Sequence, residues 1–451
     1  MRNKSSFKDP AGFVFVQDGT VFRQVNENYR ENYDLLLSSG LYKTLVEKGF
    51  LISHQEVSAE DKNCYKLLKP EVIDFISYPY EWCFSQLKDA ALLTLKIQQI
   101  ALSRSMSLKD ASCYNVQFQS GKPVFIDTLS FEKYEEEKPW VAYGQFCRHF
   151  LTPLALMAKT DLRLSQLLKN NIDGIELDLA AKLLPGSARF DFGLLTHIFL
   201  HAKSQKACEK KSLKQTKMSK FAQEALLDSL FSTVQKLKLP KTKTEWGEYY
   251  SDTNYGKTAF ESKKQIVKGF LTRLSPLSLW DLGANEGEFS RLAEKNTSVL
   301  SFDIDPIAVE KNYQSVRESM VSNILPLIMD FNNPSPSLGF LSQERDGFFA
   351  RAKVKKPDVT MALALVHHMA ISNNLPLEMI AEFFKALSKN LIIEFVPKED
   401  SKVQTLLSSR EDIFENYTAE NFERVFASEF EILAKEKVQE STRTVYLMRA
   451  K

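Results

Sequence analysis

Hydrophobic and polar positions divide the chain into two regions with different periods. In residues 11–24, two β-rich runs flank Asp18 and Gly19, a pair typical of a tight hairpin turn. Helical periods dominate the rest of the first region. They are clearest between Glu81 and Arg104, where apolar residues recur at three- and four-residue steps and predict a long amphipathic helix. Residues 1–202 are therefore predicted to form an α+β domain.

From Leu277 onward the pattern changes to an alternation of apolar runs and helical stretches. The first five runs are apolar enough to be strands buried on both faces, which predicts a parallel sheet covered by helices. They are LSLWDLG, SVLSFDI, ILPLIMDF, VTMALALV and LIIEFV. Two final runs, FEILAKEKV and TRTVYLMRA, are joined by a short polar turn and predict an antiparallel hairpin. The predicted fold class is α/β, with a mostly parallel seven-stranded sheet in residues 241–451.

Residues 203–240 separate the two regions. They begin with a lysine-rich stretch that is predicted to be a solvated linker, and contact with an anionic ligand is the alternative. They end in a predicted helix, and the proline that follows it marks the boundary near residue 240.

Composition limits the classes of protein that fit the chain. Its 451 residues are 44% hydrophobic and 26% charged, as in ordinary globular proteins of two domains. A formal charge of +2 is too balanced to indicate a nucleic-acid or membrane partner, and no apolar run reaches the roughly 18 residues of a membrane span. Five scattered cysteines never form a CxxC pair, so neither a metal centre nor a disulfide framework is predicted, and a cytoplasmic location is expected.

The first buried strand ends in a short acidic turn. Gly283 permits a tight turn with its backbone close to a ligand, and Gly287 would let a following helix begin nearby. The turn carries Asp281 and Glu286 and lacks the GxGxxG spacing of dinucleotide sites. These acids would repel a pyrophosphate, but they suit the ammonium group of an amino-acid-bearing cofactor.

Carboxylates also stand at the ends of the next two strands. Asp303, followed by Ile304, is placed to accept hydrogen bonds from both hydroxyls of a ribose. Asp330 offers a carboxylate to an adenine amino group, and Phe331 offers an aromatic face beside the ring. Parallel strands meet at one edge, so the three carboxylates should line one crevice.

The ordered series DLGANEGEFS, SFDIDPIAVE, MDF, DVTMALALVHHM and LIIEFV resembles the motifs of class I S-adenosylmethionine-dependent methyltransferases. The resemblance covers roughly residues 275–450. It implies S-adenosylmethionine as cofactor, with its methionine part held by four residues of the turn, its ribose by Asp303 and its adenine by Asp330 and Phe331. The four turn residues are Asp281, Gly283, Asn285 and Gly287. Asn285 stands where the usual motif has a second glycine.

The fourth and fifth strands provide the candidates for the reacting end. His367 and His368 follow the fourth strand, and a histidine with a pKa near ~6.5 can accept a proton from a hydroxyl or an acidic carbon. Packing and loop capping are the alternatives for this pair. Glu394 closes the fifth strand and is predicted to contact substrate or to brace a histidine. Aromatic residues at 246–250 and 255 are predicted either to cover the site or to pack.

The chemistry of the methyl acceptor is narrowed by two absences from the sequence. No NPPY-like tetrapeptide follows the fourth strand, and residues 241–451 contain no cysteine. The predicted acceptor is therefore an oxygen or carbon nucleophile on a small molecule or conjugate. An RNA-modifying methyltransferase is the alternative, with the lysine-rich stretch as phosphate contact.

Three residues of the N-terminal region form a second constellation. Asp110 precedes Asn115 by five residues, and Asp127 follows the next hairpin, a pattern that resembles the catalytic core of protein-kinase-like folds. The resemblance implies ATP and Mg²⁺ as ligands and a bifunctional enzyme. The chain departs from the pattern because it lacks a glycine-rich loop and has Arg23 in place of a clear ATP-pairing lysine. A degenerate lobe that binds substrate or nucleotide is therefore favoured over active phosphotransfer.

Overall fold

The computed structural model describes residues 3–59, 64–208, 217–240, 256–408 and 410–451. The chain divides into two compact units, of which unit 1 comprises residues 1–241 and 337–346, and unit 2 comprises residues 242–336 and 347–451. The sequence pattern led to a predicted boundary after residue 240, and the first segment of unit 1 ends at residue 241. It did not predict that residues 337–346, which lie between two elements of unit 2 in the sequence, would belong to unit 1.

The described part of unit 1 contains eight strands. They are β1 (Gly12–Gln17), β2 (Thr20–Asn26), β3 (His54–Val57), β4 (Cys64–Pro70), β5 (Met106–Leu108), β6 (Val116–Gln119), β7 (Lys122–Phe125) and β8 (Phe131–Lys133). The first four form an antiparallel sheet in the order β1-β2-β4-β3. The predicted hairpin is confirmed, because β1 and β2 pair across Asp18 and Gly19, which have φ values of 49° and 74°. Both values are in the left-handed region that a two-residue turn of type I′ requires.

Ten α-helices also form within the described residues of unit 1. They are α1 (Arg30–Ser38), α2 (Leu41–Glu47), α3 (Phe84–Ser103), α4 (Tyr143–Phe146), α5 (Thr152–Lys159), α6 (Leu167–Asn170), α7 (Leu177–Leu183), α8 (Phe192–Leu194), α9 (His201–Cys208) and α10 (Lys220–Lys236). The long helix predicted from Glu81 is α3. Lys88 on α3 donates to the carbonyls of Gln235 and Leu237 at 2.8 and 2.7 Å, so the helix predicted between the two domains is a packed part of unit 1.

Residues 337–346 form a closed loop in unit 1. Leu338 and Arg345 pair in an antiparallel bridge, which brings the two ends of the loop together. Glu344 is only 5% exposed and lies 2.8 Å from the ammonium of Lys8. The guanidinium of Arg345 stacks over the ring of Tyr114, 4.0 Å from its centroid. Stacked and paired side chains of this kind fix the loop within unit 1.

Where the structure describes it, unit 2 is built on one sheet of seven strands. They are β9 (Ser278–Leu282), β10 (Ser298–Asp303), β11 (Ile324–Ile328), β12 (Val359–Ala362), β13 (Asn390–Phe395), β14 (Phe430–Lys437) and β15 (Thr444–Ala450). Their order is β11-β10-β9-β12-β13-β15-β14. The first five strands are mutually parallel, and β15 is antiparallel to both of its neighbours. The α/β class and the mixed sheet of seven strands are thereby confirmed.

Six α-helices in the described ranges of unit 2 cover this sheet. They are α11 (Lys257–Leu274), α12 (Pro306–Glu318), α13 (Phe348–Val354), α14 (Leu377–Leu387), α15 (Ser401–Leu407) and α16 (Ala419–Glu429). The helix predicted to begin near Gly287 is wrong, since only a 3₁₀ turn forms there, at Ser290–Leu292. Gly287 at φ 80° precedes this turn, and Ala293 is extended behind it, so both sides prevent a longer helix.

The direction of strand succession reverses between β9 and β12. Helical connections leave a crevice at such a point, outside the carboxyl ends of the strands, and ligands of open α/β sheets bind there. None of the helices in the described part of the chain is long and apolar enough to cross a membrane.

Candidate functional site

A cavity of about 340 Å³ lies in unit 2 at the carboxyl ends of β9, β10, β11 and β12. Seven of the eight residues predicted to bind the cofactor line it. They are Asp281, Gly283, Asn285, Asp303, Ile304, Asp330 and Phe331. The cavity therefore lies at the strand-order reversal, and its volume is in the range of small-molecule sites.

The turn after β9 has a left-handed backbone at two positions. Gly283 has a φ of 78° and Asn285 a φ of 50°. Asparagine tolerates this region better than most residues, which explains how it replaces the usual glycine. The backbone N–H of Asn285 donates to Oδ2 of Asp303 at 2.8 Å. This bond fixes the turn to the end of the neighbouring strand.

Asp303 is the buried carboxylate at the end of β10. Its Oδ1 accepts a hydrogen bond from the backbone N–H of Asp305 at 2.9 Å. Burial raises the pKa of Asp303 to about 6, although these backbone donors act in the opposite direction. Each carboxylate oxygen has two lone pairs, so both can also accept from a ligand hydroxyl. Ile304, which is 51% exposed, adds an apolar surface at the rim.

Asp281 is the most deeply buried of the three carboxylates, with 1% of its surface exposed. Its Oδ2 accepts a hydrogen bond from the hydroxyl of Ser290 at 2.6 Å. Burial raises the pKa of Asp281 to about 7, and the nearby charge of Asp303 adds to this rise. A cation in the cavity would favour the ionised form of Asp281 and lower its pKa again.

The third carboxylate follows β11 beside an aromatic cluster. Oδ1 of Asp330 accepts from the backbone N–H of Asn332 at 2.9 Å. Phe331 packs edge-on against Phe302 and Phe348, with both ring centroids 5.6 Å away. A planar base could lie between the carboxylate and this rigid aromatic wall.

Gly287 is the exception among the predicted cofactor residues, because it is not part of the described lining. A Cβ at this position would lie 2.5 Å from Oδ1 of Asn312 and 2.6 Å from the Arg291 guanidinium. Its missing side chain therefore serves packing, and the helix that it was predicted to bring near the ligand does not form.

The wall after β12 carries the predicted histidines. Residues His368–Ser372 form a π-helical turn, a conformation that is frequent at functional sites. His368 and Ser372 line the cavity, whereas His367 lies behind it with 2% of its surface exposed. The two imidazole centroids are 4.1 Å apart. The structure thus brings one histidine to the cavity and places the other in the interior.

Both histidines are held in the neutral form. Burial lowers the pKa of His368 to about 4, and the charge of Arg443 lowers it further. Burial lowers the pKa of His367 well below its ordinary value, and Nδ1 of this ring has no hydrogen-bond partner among the residues that the structure describes. A neutral His368 presents a nitrogen lone pair to the cavity at pH 7, or an N–H, depending on its tautomer.

Glu394, the third predicted catalytic residue, is completely buried and is not one of the described lining residues. Its Oε2 accepts from Nζ of Lys263 on α11 at 2.7 Å, and its Oε1 lies 3.8 Å from the guanidinium of Arg443. Lys263 itself lines the cavity. The sequence analysis missed this lysine. The signal was present, since residue 263 lies on the same face of α11 as the buried Ala259 and Val267, at four-residue steps.

Two predicted features lie outside the described residues. The aromatic segment at 246–250 and 255 is one of them, and the middle part of the lysine-rich stretch, residues 209–216, is the other. Both stay predictions.

In unit 1 the structure brings together the three residues of the second constellation. Oδ1 of Asp110 accepts from the backbone N–H of Ser112 at 2.9 Å, and Nδ2 of Asn115 donates to the Ser130 hydroxyl at 3.2 Å. Burial raises the pKa of Asp110, and the charge of Asp127 raises it further, so the two carboxylates are near neighbours.

The carboxylate of Asp127 accepts hydrogen bonds from residues of its own turn. Its Oδ1 accepts from the backbone N–H of Leu129 at 3.1 Å, and its Oδ2 accepts from the Ser130 hydroxyl at 2.5 Å. The guanidinium of Arg23 forms an ion pair with the same carboxylate. No cluster of three or more histidine, cysteine or acidic side chains that could hold a metal ion occurs in the described ranges.

Strand order and the carboxylates at three strand ends define the class to which unit 2 is similar, the class I S-adenosylmethionine-dependent methyltransferases. The whole chain belongs to the family of the nodulation protein NoeA of Rhizobium meliloti (strain 1021). It is 34% identical to that protein over 460 residues, which cover 99% of this chain and 95% of the relative. No protein-family model matches the chain.

Two solved structures are each similar to part of this chain. One is the magnesium protoporphyrin IX methyltransferase ChlM from Synechocystis PCC 6803 with bound SAH, at 16% identity and a TM-score of 0.31, covering 46% of this chain and 93% of that chain. The other is the N-methyltransferase NodS from Bradyrhizobium japonicum WM9, at 9% identity and a TM-score of 0.31, covering 43% of this chain and 97% of that chain.

Proposed function

We propose that unit 2 transfers a methyl group from S-adenosylmethionine to an oxygen or carbon nucleophile of a small molecule or conjugate. The observation that carries this proposal is that Asp281, Asp303 and Asp330, from the ends of three neighbouring strands, line one cavity. Isolated strand-end aspartates are usually turn or cap residues, but three that converge on one cavity with a glycine turn are complementary to an adenosyl amino acid.

Each part of the cavity fits one part of this cofactor. Asp281 is suited to the ammonium group, Asp303 to the two ribose hydroxyls, and Asp330 with Phe331 to the adenine. The chemistry that the cofactor supplies when bound is an electrophilic methyl group on a sulfonium. The chain has to align a nucleophile with that methyl group, exclude water and accept a proton.

His368 is the residue we assign to the proton. It lines the cavity, and its lowered pKa of about 4 keeps it unprotonated at pH 7, so its ring can accept a proton from a hydroxyl or an acidic carbon. Leu365 and Met369 line the same wall and exclude water. His367 positions His368 from behind, and Glu394 acts on the site through Lys263.

Calorimetric titration of the full chain with S-adenosylmethionine tests the cofactor assignment. We expect saturable binding at one site, weakened in Asp303→Ala and unchanged in Glu431→Ala, which removes an exposed carboxylate of β14. A full chain that does not bind S-adenosylmethionine would contradict the proposal. Transfer of label from methyl-labelled cofactor into cell extracts, followed by fractionation, would then identify the acceptor.

A second activity, phosphoryl transfer by unit 1, is raised by the proximity of Asp110, Asn115 and Asp127. The donor set does not fit a metal ion as it stands, because the Asp127 carboxylate is engaged by its own turn and by Arg23. We therefore derive no phosphoryl-transfer step, and a binding role for unit 1 is the proposal we favour. Metal-dependent ATP turnover that is lost in Asp127→Ala and kept in Asp303→Ala would contradict this view.

A further inference from the structure

The acidic and the basic side chains that line the cavity differ in number. Among the described residues that line it, three are carboxylates and one, Lys263, is a cation. The carboxylates are accounted for by the ammonium, ribose and adenine of the proposed cofactor. Lys263 has no role in that account.

Lys263 is buried at the cavity wall, with 4% of its surface exposed. Its Nζ lies 2.7 Å from Oε2 of Glu394 and 4.8 Å from the centroid of the Phe289 ring. Burial lowers the pKa of Lys263, and the negative charge of Glu394 opposes this change. Glu394 therefore stabilises a positive charge at a place where solvent cannot.

Glu394 belongs to a larger ionic group. Arg443 lies 3.8 Å from its Oε1 and binds Asp400 with two hydrogen bonds, of 2.6 and 3.0 Å. The group thus contains two cations and two carboxylates. Buried ion pairs contribute little net stability compared with well-packed apolar side chains. A cation held at the wall of a ligand cavity at this cost is better explained by a ligand than by folding stability alone.

The neighbour of Lys263 on the cavity wall indicates the chemistry of that ligand. The charge of Lys263 lowers the pKa of Asp281, so the two side chains lie within electrostatic reach of each other. A carboxylate beside an ammonium on one wall is complementary to an α-amino acid group, which carries both opposite charges on one carbon. An ammonium has three N–H donors, so a lysine bonded to Glu394 can also donate to a ligand carboxylate.

We propose that Lys263 binds the carboxylate of the methionyl group and makes the site selective for the carboxylated cofactor over its decarboxylated form. Glu394 is then a positioning residue, which keeps Lys263 charged and directed at the cavity. This inference rests on the proposed function, because it assumes that S-adenosylmethionine occupies the cavity.

Calorimetry on the full chain with two ligands, S-adenosylmethionine and decarboxylated S-adenosylmethionine, tests the proposal. The Lys263→Met variant should bind S-adenosylmethionine about 10- to 100-fold more weakly, the usual effect of losing a hydrogen bond between charged groups. Its affinity for the decarboxylated ligand should change by less than about threefold, since that ligand has no carboxylate to lose.

Lys264→Met is the matched control. Lys264 is the next residue on α11, its Nζ is 3.1 Å from Glu288, and its loss changes the net charge by the same amount. Because Lys264 is not among the described lining residues, this variant should bind both ligands as the unmodified chain does.

The outcomes separate the two proposals. If the affinity of the Lys263→Met variant falls by the same factor for both ligands, Lys263 forms only a structural ion pair and the inference is overturned. An unmodified chain that binds neither ligand would overturn the proposed function as well. If Lys263→Met does not fold, the double variant Lys263→Met/Glu394→Gln removes both buried charges together. Loss of selectivity for S-adenosylmethionine over its decarboxylated form in this variant supports the proposal. Retained selectivity refutes it.

Discussion

The affinity of unit 2 for its cofactor should fall as the pH drops below 7. The reason is that two carboxyl groups of the empty cavity bind protons that they must release when the cofactor binds. Burial raises the pKa of Asp281 to about 7 and that of Asp303 to about 6. An ammonium beside Asp281 and hydroxyl donors on Asp303 favour the ionised carboxylates, so binding lowers both pKa values. The free protein then carries more protons than the complex, protons are released on binding, and affinity rises with pH.

The magnitude follows from these two values. Between pH 7 and pH 6, the protonated share of Asp281 rises from about one half to about ten elevenths, which weakens binding about fivefold. The same change at Asp303 adds a factor of about two, so the total is roughly tenfold, or about 1.4 kcal/mol. At pH 6.5 the two groups together should release about one proton per bound ligand. Since the carboxylates interact, this behaviour belongs to the pair.

S-adenosylhomocysteine is the suitable ligand for this measurement, because it cannot donate a methyl group. Titrations at pH 6.0, 6.5 and 7.0, each in two buffers of different ionisation enthalpy, give the affinity and the number of protons released. In the Asp281→Asn variant, which keeps the shape but cannot ionise, the dependence should shrink to about twofold over the same range. An affinity that stays constant from pH 7 to pH 6, or proton uptake on binding, would refute the reasoning.

Three further outcomes follow from the described contacts. Asp303→Ala should weaken cofactor binding by roughly 1–3 kcal/mol in calorimetry, because hydroxyl donors of the ligand lose their acceptor; unchanged affinity would remove Asp303 from the site. His368→Ala should lower the rate of methyl transfer by about 10²- to 10⁴-fold with little change in cofactor affinity, whereas His367→Ala should mainly lower the melting temperature; equal rate losses in the two variants would contradict the separate roles. Asp127→Ala should destabilise unit 1 by about 1–3 kcal/mol in denaturant unfolding, since it removes a turn cap and the partner of Arg23, and should leave cofactor affinity unchanged.

Much of unit 2 could be predicted from the sequence because its signals are local. Parallel strands buried on both faces are continuous apolar runs, and the residue that ends each run stands at the same edge of the sheet. The cavity positions of Asp281, Asp303 and Asp330 therefore followed from the pattern. The Asp18–Gly19 turn in unit 1 could be predicted for the same reason.

Other features depend on contacts between distant residues. The 3₁₀ turn at residues 290–292 replaced a predicted helix because the backbone is left-handed at Gly287 and extended at Ala293, which a periodic pattern does not show. Which histidine reaches the cavity is decided by a π-helical turn, a register that departs from the 3.6-residue period. Lys263 is one of several lysines in α11, and its four-residue spacing from Ala259 and Val267 could have marked it as buried. Its ion pair with Glu394, 131 positions later, could not be predicted from that spacing.

The loop at residues 337–346 imposes an order of events on the growing polypeptide. During synthesis, residues up to 241 leave the ribosome long before residue 344 is added to the chain. Lys8, near the start of unit 1, nevertheless pairs with the buried Glu344. Unit 1 can therefore be completed only after the first three strands of unit 2 have been synthesised, whereas domains usually finish folding from the amino terminus onward. A shortened chain that stops before residue 337 would leave Tyr114 without the guanidinium that stacks on it. The two units are thus separate as compact bodies but not as consecutive stretches of the gene product.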